Sequence, residues 1–372
     1  MKMAEKAESG KGKKRKKLIR ILIVILLVLL LLFGAGYVLL NQMAKSVGIG
    51  GGETADYERR IPIWNEVAGN RPDSKLSEMN VKKGQSSLIT TFHFLQGLTG
   101  SEYKDSESVI DTYTYMHEIQ GGFEKETFED EPYLIPYLVD GSDRAVIVIP
   151  GGGFGYKSMD GSTGEGKDIA VKLNEAGISA FVLHYRSNPY EYPLPYLDLG
   201  RAVKFLRFYS AEYGIDPEKI SAIGFSAGGN LICHYINHIQ NGDFYPEDYE
   251  KDEVDAEDGT LTDAAMIYPA TTFNANVPML FAMFDAEDVR DEDKRADLLD
   301  LMDNTKNFDS AEVRQFVAYG RKDRMVGTSE TPAYIEKAKA GGADVTDVFV
   351  KDADHGFAPD NYFEKYIRWL QE

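Results

Sequence analysis

From residue 144 onward the chain alternates short apolar runs with longer amphipathic stretches. "RAVIVIP" (144–150), "ISAFVLHYR" (178–186) and "KISAIGF" (219–225) are near-continuous apolar runs, rich in β-branched residues. Runs of this kind mark strands covered on both faces, as in a parallel sheet. Between them, "GEGKDIAVKLNEAG" (164–177) and "LDLGRAVKFLRFYSAEYG" (197–214) carry apolar residues at helical spacing. Leu199, Ala202, Val203 and Leu206 fall on one face, and Gly177 and Gly214 stand where helices stop. "AGGNLICHYINHIQNG" (227–242) predicts a further helix. "AAMIYPA" (264–270), "VRQFVAYG" (313–320) and "VTDVFVKDA" (345–353) predict three more strands. Helices are predicted over "TPAYIEKAKAGG" (331–342) and "NYFEKYIRWLQE" (361–372), the last with Tyr362, Phe363, Tyr366, Ile367 and Leu370 on one face. Strands alternating with helices predict an α/β domain with a mainly parallel central sheet flanked by helices.

That domain is assigned to residues 57–372, with 57–130 as an N-terminal extension or cap. Within it, "IPIWNEVAGNRP" (61–72) and "SSLITTFHFLQGL" (86–98) read as short helices, and "DTYTYMHE" (111–118) and "PYLIPYLVDG" (132–141) as strands. Residues 273–312 read as an insertion with a helix-like segment at 291–304, placed to contribute a cap.

Upstream the pattern changes. Ile21–Leu40 is twenty residues without a charge, about 30 Å as a helix, the thickness of a bilayer core. Residues 1–20 hold nine Lys/Arg against Glu5 and Glu8, a net charge of +7. The expected order is a basic cytoplasmic tail (1–20), a transmembrane signal anchor (21–41) and a Gly-rich linker (42–56). The positive-inside rule then sends the body outside the cell. A cleaved signal peptide is the competing reading, but its apolar region is usually shorter and ends in an A-x-A-like site.

Net charge over the whole chain is −19, which leaves −26 for the residues after 20. So acidic a body excludes nucleic acid as a partner on electrostatic grounds. Cys233 is the one cysteine, which rules out a disulfide framework within the chain. It reads as a small buried apolar residue. No cysteine or histidine cluster suggests a metal, and no cofactor is expected. The acidic stretch 243–263 is not a calcium loop: with Gly259 at its sixth position, Val254 and Ala265 fall where carboxylates are needed. It is expected to be a solvated surface loop.

"GFSAGG" (224–229) sits between a predicted strand and a predicted helix. G-x-S-x-G at such a junction projects a serine oxygen from a sharp turn at a helix N-terminus. Serine needs a base, and the base an orienting acid. Three histidines follow Ser226. His234 and His238 lie on the helix after the serine and read as surface or packing residues. His355, in "KDADHGF" after the last predicted strand, is the candidate base. Asp323, in "GRKDRMV" at the end of the preceding strand, is the candidate acid. Asp352 and Asp354 share the His355 loop and cannot easily reach around to its ring. The glycines of "IPGGGFGY" allow close backbone approach to a substrate. Gly152, Gly153 and Ala227 are the candidate amide donors to a developing oxyanion. A phosphate-binding loop is the competing reading, but no G-x-G-x-x-G or GK[ST] is completed there.

From about residue 130 to the C-terminus the chain resembles the α/β-hydrolase superfamily, in particular esterases of the hormone-sensitive-lipase and acetyl-xylan-esterase-like types. "PGGGF", "VLHYRSNPYEYPLPYLDLGRAVKFLR", "GFSAGG", "GRKDRMV" and "DADHGF" carry the resemblance, in the expected order. Many relatives have His before the triple glycine; this chain has Pro150, which fits the carbohydrate-acetylesterase branch better. The resemblance implies an α/β-hydrolase fold, here preceded by the one transmembrane helix read from Ile21–Leu40, and a serine esterase for short-chain esters, with acetyl groups on carbohydrate as a candidate substrate. A serine peptidase of the same fold, or a non-catalytic surface binding module, are the alternatives.

Overall fold

The computed structural model describes residues 2–46, 59–69, 131–154, 157, 159, 164–187, 190–323 and 325–372. The helix expected at 86–98, the strand at 111–118, residues 47–56 of the linker and most of the 57–130 extension lie outside these residues; residues 42–46, expected to open the linker, are helical.

A helix runs from Lys2 to Ser46. Its segment Arg15–Val38 is long and apolar enough to cross a membrane, about 36 Å at the α-helical rise. No other helix among the described residues meets that criterion.

The body is built on one eight-stranded sheet: β1 (Ile61–Pro62), β2 (Tyr133–Tyr137), β3 (Ala145–Ile149), β4 (Ser179–His184), β5 (Ile220–Phe225), β6 (Asp263–Ile267), β7 (Arg314–Gly320) and β8 (Val345–Val350). The spatial order is β1-β2-β4-β3-β5-β6-β7-β8. β1 and β2 pair antiparallel at one edge, and every pairing from β4 to β8 is parallel. β1 replaces the short helix expected from residue 61. Its two residues pair with Leu134 and Tyr133, so long-range pairing sets its conformation and no local period announces it.

Each inner strand sends alternate residues into two separate cores. Ile147 and Ile149 of β3, Ala222 of β5 and Met266 of β6 face one layer. It contains Tyr196, Leu199, Val203 and Leu206 of helix Leu194–Phe208, Leu231 and Ile232 of helix Ala227–His234, and Tyr334 and Ala338 of helix Glu330–Ala340. Val146, Val148, Ile223, Phe225 and Ile267 face the other layer, against Ile169 and Leu173 of helix Gly166–Glu175 and Tyr366, Trp369 and Leu370 of helix Phe363–Gln371. Burial on both faces explains why these strands read as apolar runs rather than alternating ones.

The acidic stretch 243–263 is exposed at most of its carboxylates, as expected of a solvated loop, but it turns inward around Asp255. Val254 and Asp255 are buried. Arg201, itself buried, pairs with Asp252 at 2.6 Å and Asp255 at 2.9 Å. Tyr245 and Tyr249 donate to the two Asp255 oxygens and stand edge-on to Trp64. Two of its carboxylates, Asp252 and the buried Asp255, thus accept a cation supplied from helix Leu194–Phe208. Trp64 also donates to Asp198, which forms a fully buried pair with Arg186 at 2.8 Å. In this way segment 59–69 is fastened to the sheet.

Candidate active site

The C-terminal ends of β3, β5, β6, β7 and β8 open on the same side, where ligands gather in parallel α/β sheets. At the end of β5 the backbone turns directly into helix Ala227–His234, with Ser226 at φ +52° and ψ −113°. A non-glycine residue there carries local strain of about 1–3 kcal/mol. The neighbouring glycines make the turn possible. A Cβ at Gly224 would lie 2.3 Å from the Gly228 carbonyl oxygen, and one at Gly228 only 2.2 Å from that of Ile149. Ser226 donates its N–H to the Ile267 carbonyl and accepts from Asn230 N–H, which locks the serine between β6 and its own helix.

His355 Nε2 lies 2.8 Å from Ser226 Oγ, and His355 Nδ1 lies 2.9 Å from Asp323 Oδ2. Asp323 is 2% exposed. Its other oxygen accepts the amides of Met325 and Val326, at 3.0 and 3.2 Å. The carboxylate is thereby held with one oxygen toward the ring. It accepts a hydrogen bond from Nδ1–H, which leaves Nε2 as the acceptor for the serine hydroxyl proton. Two further bonds stitch the acid and base loops together, Arg321 N–H to Val350 O and Lys322 N–H to Ala353 O. The structure therefore brings Ser226, Asp323 and His355 into one relay. Asp354 turns the other way and accepts from the His355 backbone amide, and Asp352 lies beside Lys322 at 3.4 Å. His234, the last residue of helix Ala227–His234, is buried, stacks on His238 and stands edge-on to Tyr192.

The glycine loop after β3 runs beside the serine. A Cβ at Gly151 would lie 3.0 Å from Ser226 Cβ. Gly152, Gly153 and Phe154 all have positive φ, at +130°, +61° and +57°. Phe154 turns inward against Tyr185, Tyr196 and Phe273. Phe273 starts the 273–312 insertion, so that segment reaches the glycine loop. The Gly151 N–H is committed to Glu165 Oε2 at 2.7 Å. That leaves the Gly152 and Gly153 amides as the candidate donors from this loop. Ala227 opens the elbow helix, whose first amides have no intrahelical acceptor.

Several residues around the relay escape a sequence reading. Tyr185 donates its hydroxyl to Pro150 O at 2.9 Å. Lys157 is buried over the Tyr185 ring and donates to Ser187 Oγ at 2.8 Å. Burial pushes its ammonium down to about 7, against a weaker opposing pull from Asp198. Glu165 and Tyr268 join each other at 3.0 Å. Among the described residues no group of acidic, histidine or cysteine side chains is arranged to hold a metal.

A family model described as BD-FAE matches residues 134–337, more than half of the chain. Among curated proteins, endo-1,4-β-xylanase B of Butyrivibrio fibrisolvens is 31% identical over 164 residues, 41% of this chain and 24% of that protein. Acetylxylan esterase of Xylanibacter ruminicola is 36% identical over 90 residues, 24% of this chain and 18% of that protein. The chain thus spans less than a quarter of the length of these two relatives. Among solved structures, an acetyl ester-xyloside bifunctional hydrolase from Caldicellulosiruptor lactoaceticus superposes with a TM-score of 0.55 at 25% identity, covering 67% of this chain and 90% of that one.

Proposed function

The chain belongs to the BD-FAE family and has the α/β-hydrolase fold; from that premise we propose that it is a serine ester hydrolase for short-chain carboxylic esters, with acetyl groups on carbohydrate as its substrate class. The observation that carries the reading is the relay of 2.8 and 2.9 Å through His355. Ser226 Oγ attacks the ester carbonyl while His355 Nε2 takes its proton. Asp323 holds the ring and balances the imidazolium charge. The amides of Gly152, Gly153 and Ala227 receive the oxyanion. His355 then protonates the leaving alcohol, and a water activated by the same ring releases the acid. The acetyl-carbohydrate assignment is supported by the names of the acetylxylan esterase and acetyl ester-xyloside hydrolase relatives. Attachment to a membrane through Arg15–Val38, with the body outside the cell, is supported by the length of that segment and by the Lys/Arg cluster before it.

The test is hydrolysis of p-nitrophenyl esters of increasing acyl length, with acetate release from acetylated xylan, for wild type and Ser226→Ala. The reading expects turnover to be greatest for acetyl esters and lost in the variant. Preferential cleavage of a peptide anilide would move the protein to the peptidases. Equal rates in wild type and Ser226→Ala would remove it from the serine hydrolases.

A further inference from the structure

Glu165 stands at the position preceding helix Gly166–Glu175, where a short Ser, Thr, Asp or Asn usually caps the first amides. Its side chain makes no cap bond. Gly164 and Gly166 on either side have positive φ, +76° and +45°, and the bend they permit turns the side chain inward. The carboxylate reaches across the site to two donors. Oε2 accepts the Gly151 N–H at 2.7 Å, and Oε1 accepts the Tyr268 hydroxyl at 3.0 Å. The Tyr268 ring stands edge-on to His355 with centroids 5.0 Å apart. Tyr268 is itself held at φ +39° just beyond β6.

We infer that Glu165 is a positioning residue for ester hydrolysis, tying the glycine loop on one side of Ser226 to the aromatic wall that backs His355 on the other. The inference rests on the serine-hydrolase reading above. The reasoning is one of geometry and charge. A buried carboxylate needs partners, and its hydrogen bonds are shorter and stronger than neutral ones. With Gly151 pinned, the next two amides are fixed at the place where the oxyanion forms. Burial, and then the Glu165 charge, push the Tyr268 hydroxyl well above its ordinary range, so it stays a donor. Glutamine is nearly isosteric, but it has one carbonyl for two donors on different oxygens and must set its NH2 against one of them.

The experiment compares wild type, Glu165→Gln, Tyr268→Phe and Ser226→Ala on p-nitrophenyl acetate, with trifluoroacetophenone as inhibitor. That ketone forms a hemiketal: Ser226 Oγ bonds to the carbonyl carbon, the C=O π pair moves to oxygen, and the serine proton passes to His355. Its affinity therefore reports the oxyanion site. Glu165→Gln should lower kcat by about 10- to 100-fold, the scale of a small misplacement of catalytic groups, with KM within about threefold. Ketone inhibition should weaken by the same factor as kcat. Tyr268→Phe should move both quantities in the same direction by less, because Gly151 keeps its acceptor. Unchanged kcat in Glu165→Gln, or a loss of kcat with unchanged ketone affinity, would overturn the inference. If Glu165→Gln does not fold, the same pair of readouts on Tyr268→Phe decides. Failure of the reaction assignment looks different: there Ser226→Ala would match wild type.

Discussion

Replacing Asp323 by asparagine tests the orientation of the base most sharply. The asparagine carbonyl has two competing places. Facing the Met325 and Val326 amides, it keeps both bonds now made by Oδ1. Facing His355, it leaves two buried N–H groups against an NH2, at about 1–3 kcal/mol each. The first arrangement wins, so the NH2 points at Nδ1 and forces the ring to accept there. Nε2 then carries the proton and cannot receive one from Ser226. In the serine-protease case the corresponding change costs about 10⁴ in kcat, or about 5.5 kcal/mol of transition-state stabilisation. The same scale is expected here, with KM little altered and the fold intact. Asp354→Asn preserves an acceptor for the His355 amide on an exposed residue and should change kcat by no more than about threefold. Initial rates at saturating p-nitrophenyl acetate, with circular dichroism to verify folding, measure both. A crippled Asp354→Asn beside an active Asp323→Asn would refute the reasoning.

Three further expectations follow from packing, burial and the apolar helix. Gly228→Ala drives a Cβ to 2.2 Å from Ile149 O; it should cost at least about 1–3 kcal/mol in urea denaturation, the range for overpacking, and displace Ser226 enough to abolish turnover. Lys157 has a folded value of about 7 against 10.5 for a free side chain. The unfolded chain therefore binds a proton that the folded chain lacks across that window, and stability should rise with pH there by about 1.4 kcal/mol per unit. Lys157→Met should lose this rise, so unfolding midpoints at pH 7.5 and 9.5 that shift equally in both proteins would refute the burial effect. The full chain should sediment with membranes and resist carbonate extraction, and a chain starting near residue 50 should stay in the supernatant; a soluble full chain in the medium would instead identify a cleaved signal.

The strands β3 to β7 are legible because burial on both faces writes itself into each run locally; the edge strand β8, largely exposed, is legible from its β-branched residues alone. Ser226, Asp323 and His355 were legible for a related reason: each sits in a short pattern at a strand end, and their order along the chain restricts the choice. Glu165 and Tyr268 were not, since they are 103 residues apart and only the fold brings them together. The one local signal was a glutamate between two glycines where a helix cap was due. β1 escaped because two residues have no period. The acidic stretch is solvated at Asp243, Glu247, Asp248, Glu250, Glu253 and Asp258, as its charge density implies, but the inward turn of Asp255 is not legible because its partner Arg201 lies some fifty residues upstream. Trp369 is one of the three buried residues of the last helix, with Tyr366 and Leu370, and falls outside the face read from the sequence.

The central claim is that Ser226 is a nucleophile activated through His355. A fluorophosphonate probe measures it directly, since the probe bonds only to an activated serine oxygen and expels fluoride. Intact mass and peptide mapping should place one adduct on Ser226 in the wild type, with labelling lost in Ser226→Ala and slowed by orders of magnitude in His355→Ala. An unlabelled wild type, or an adduct on another residue that persists in Ser226→Ala, would contradict it.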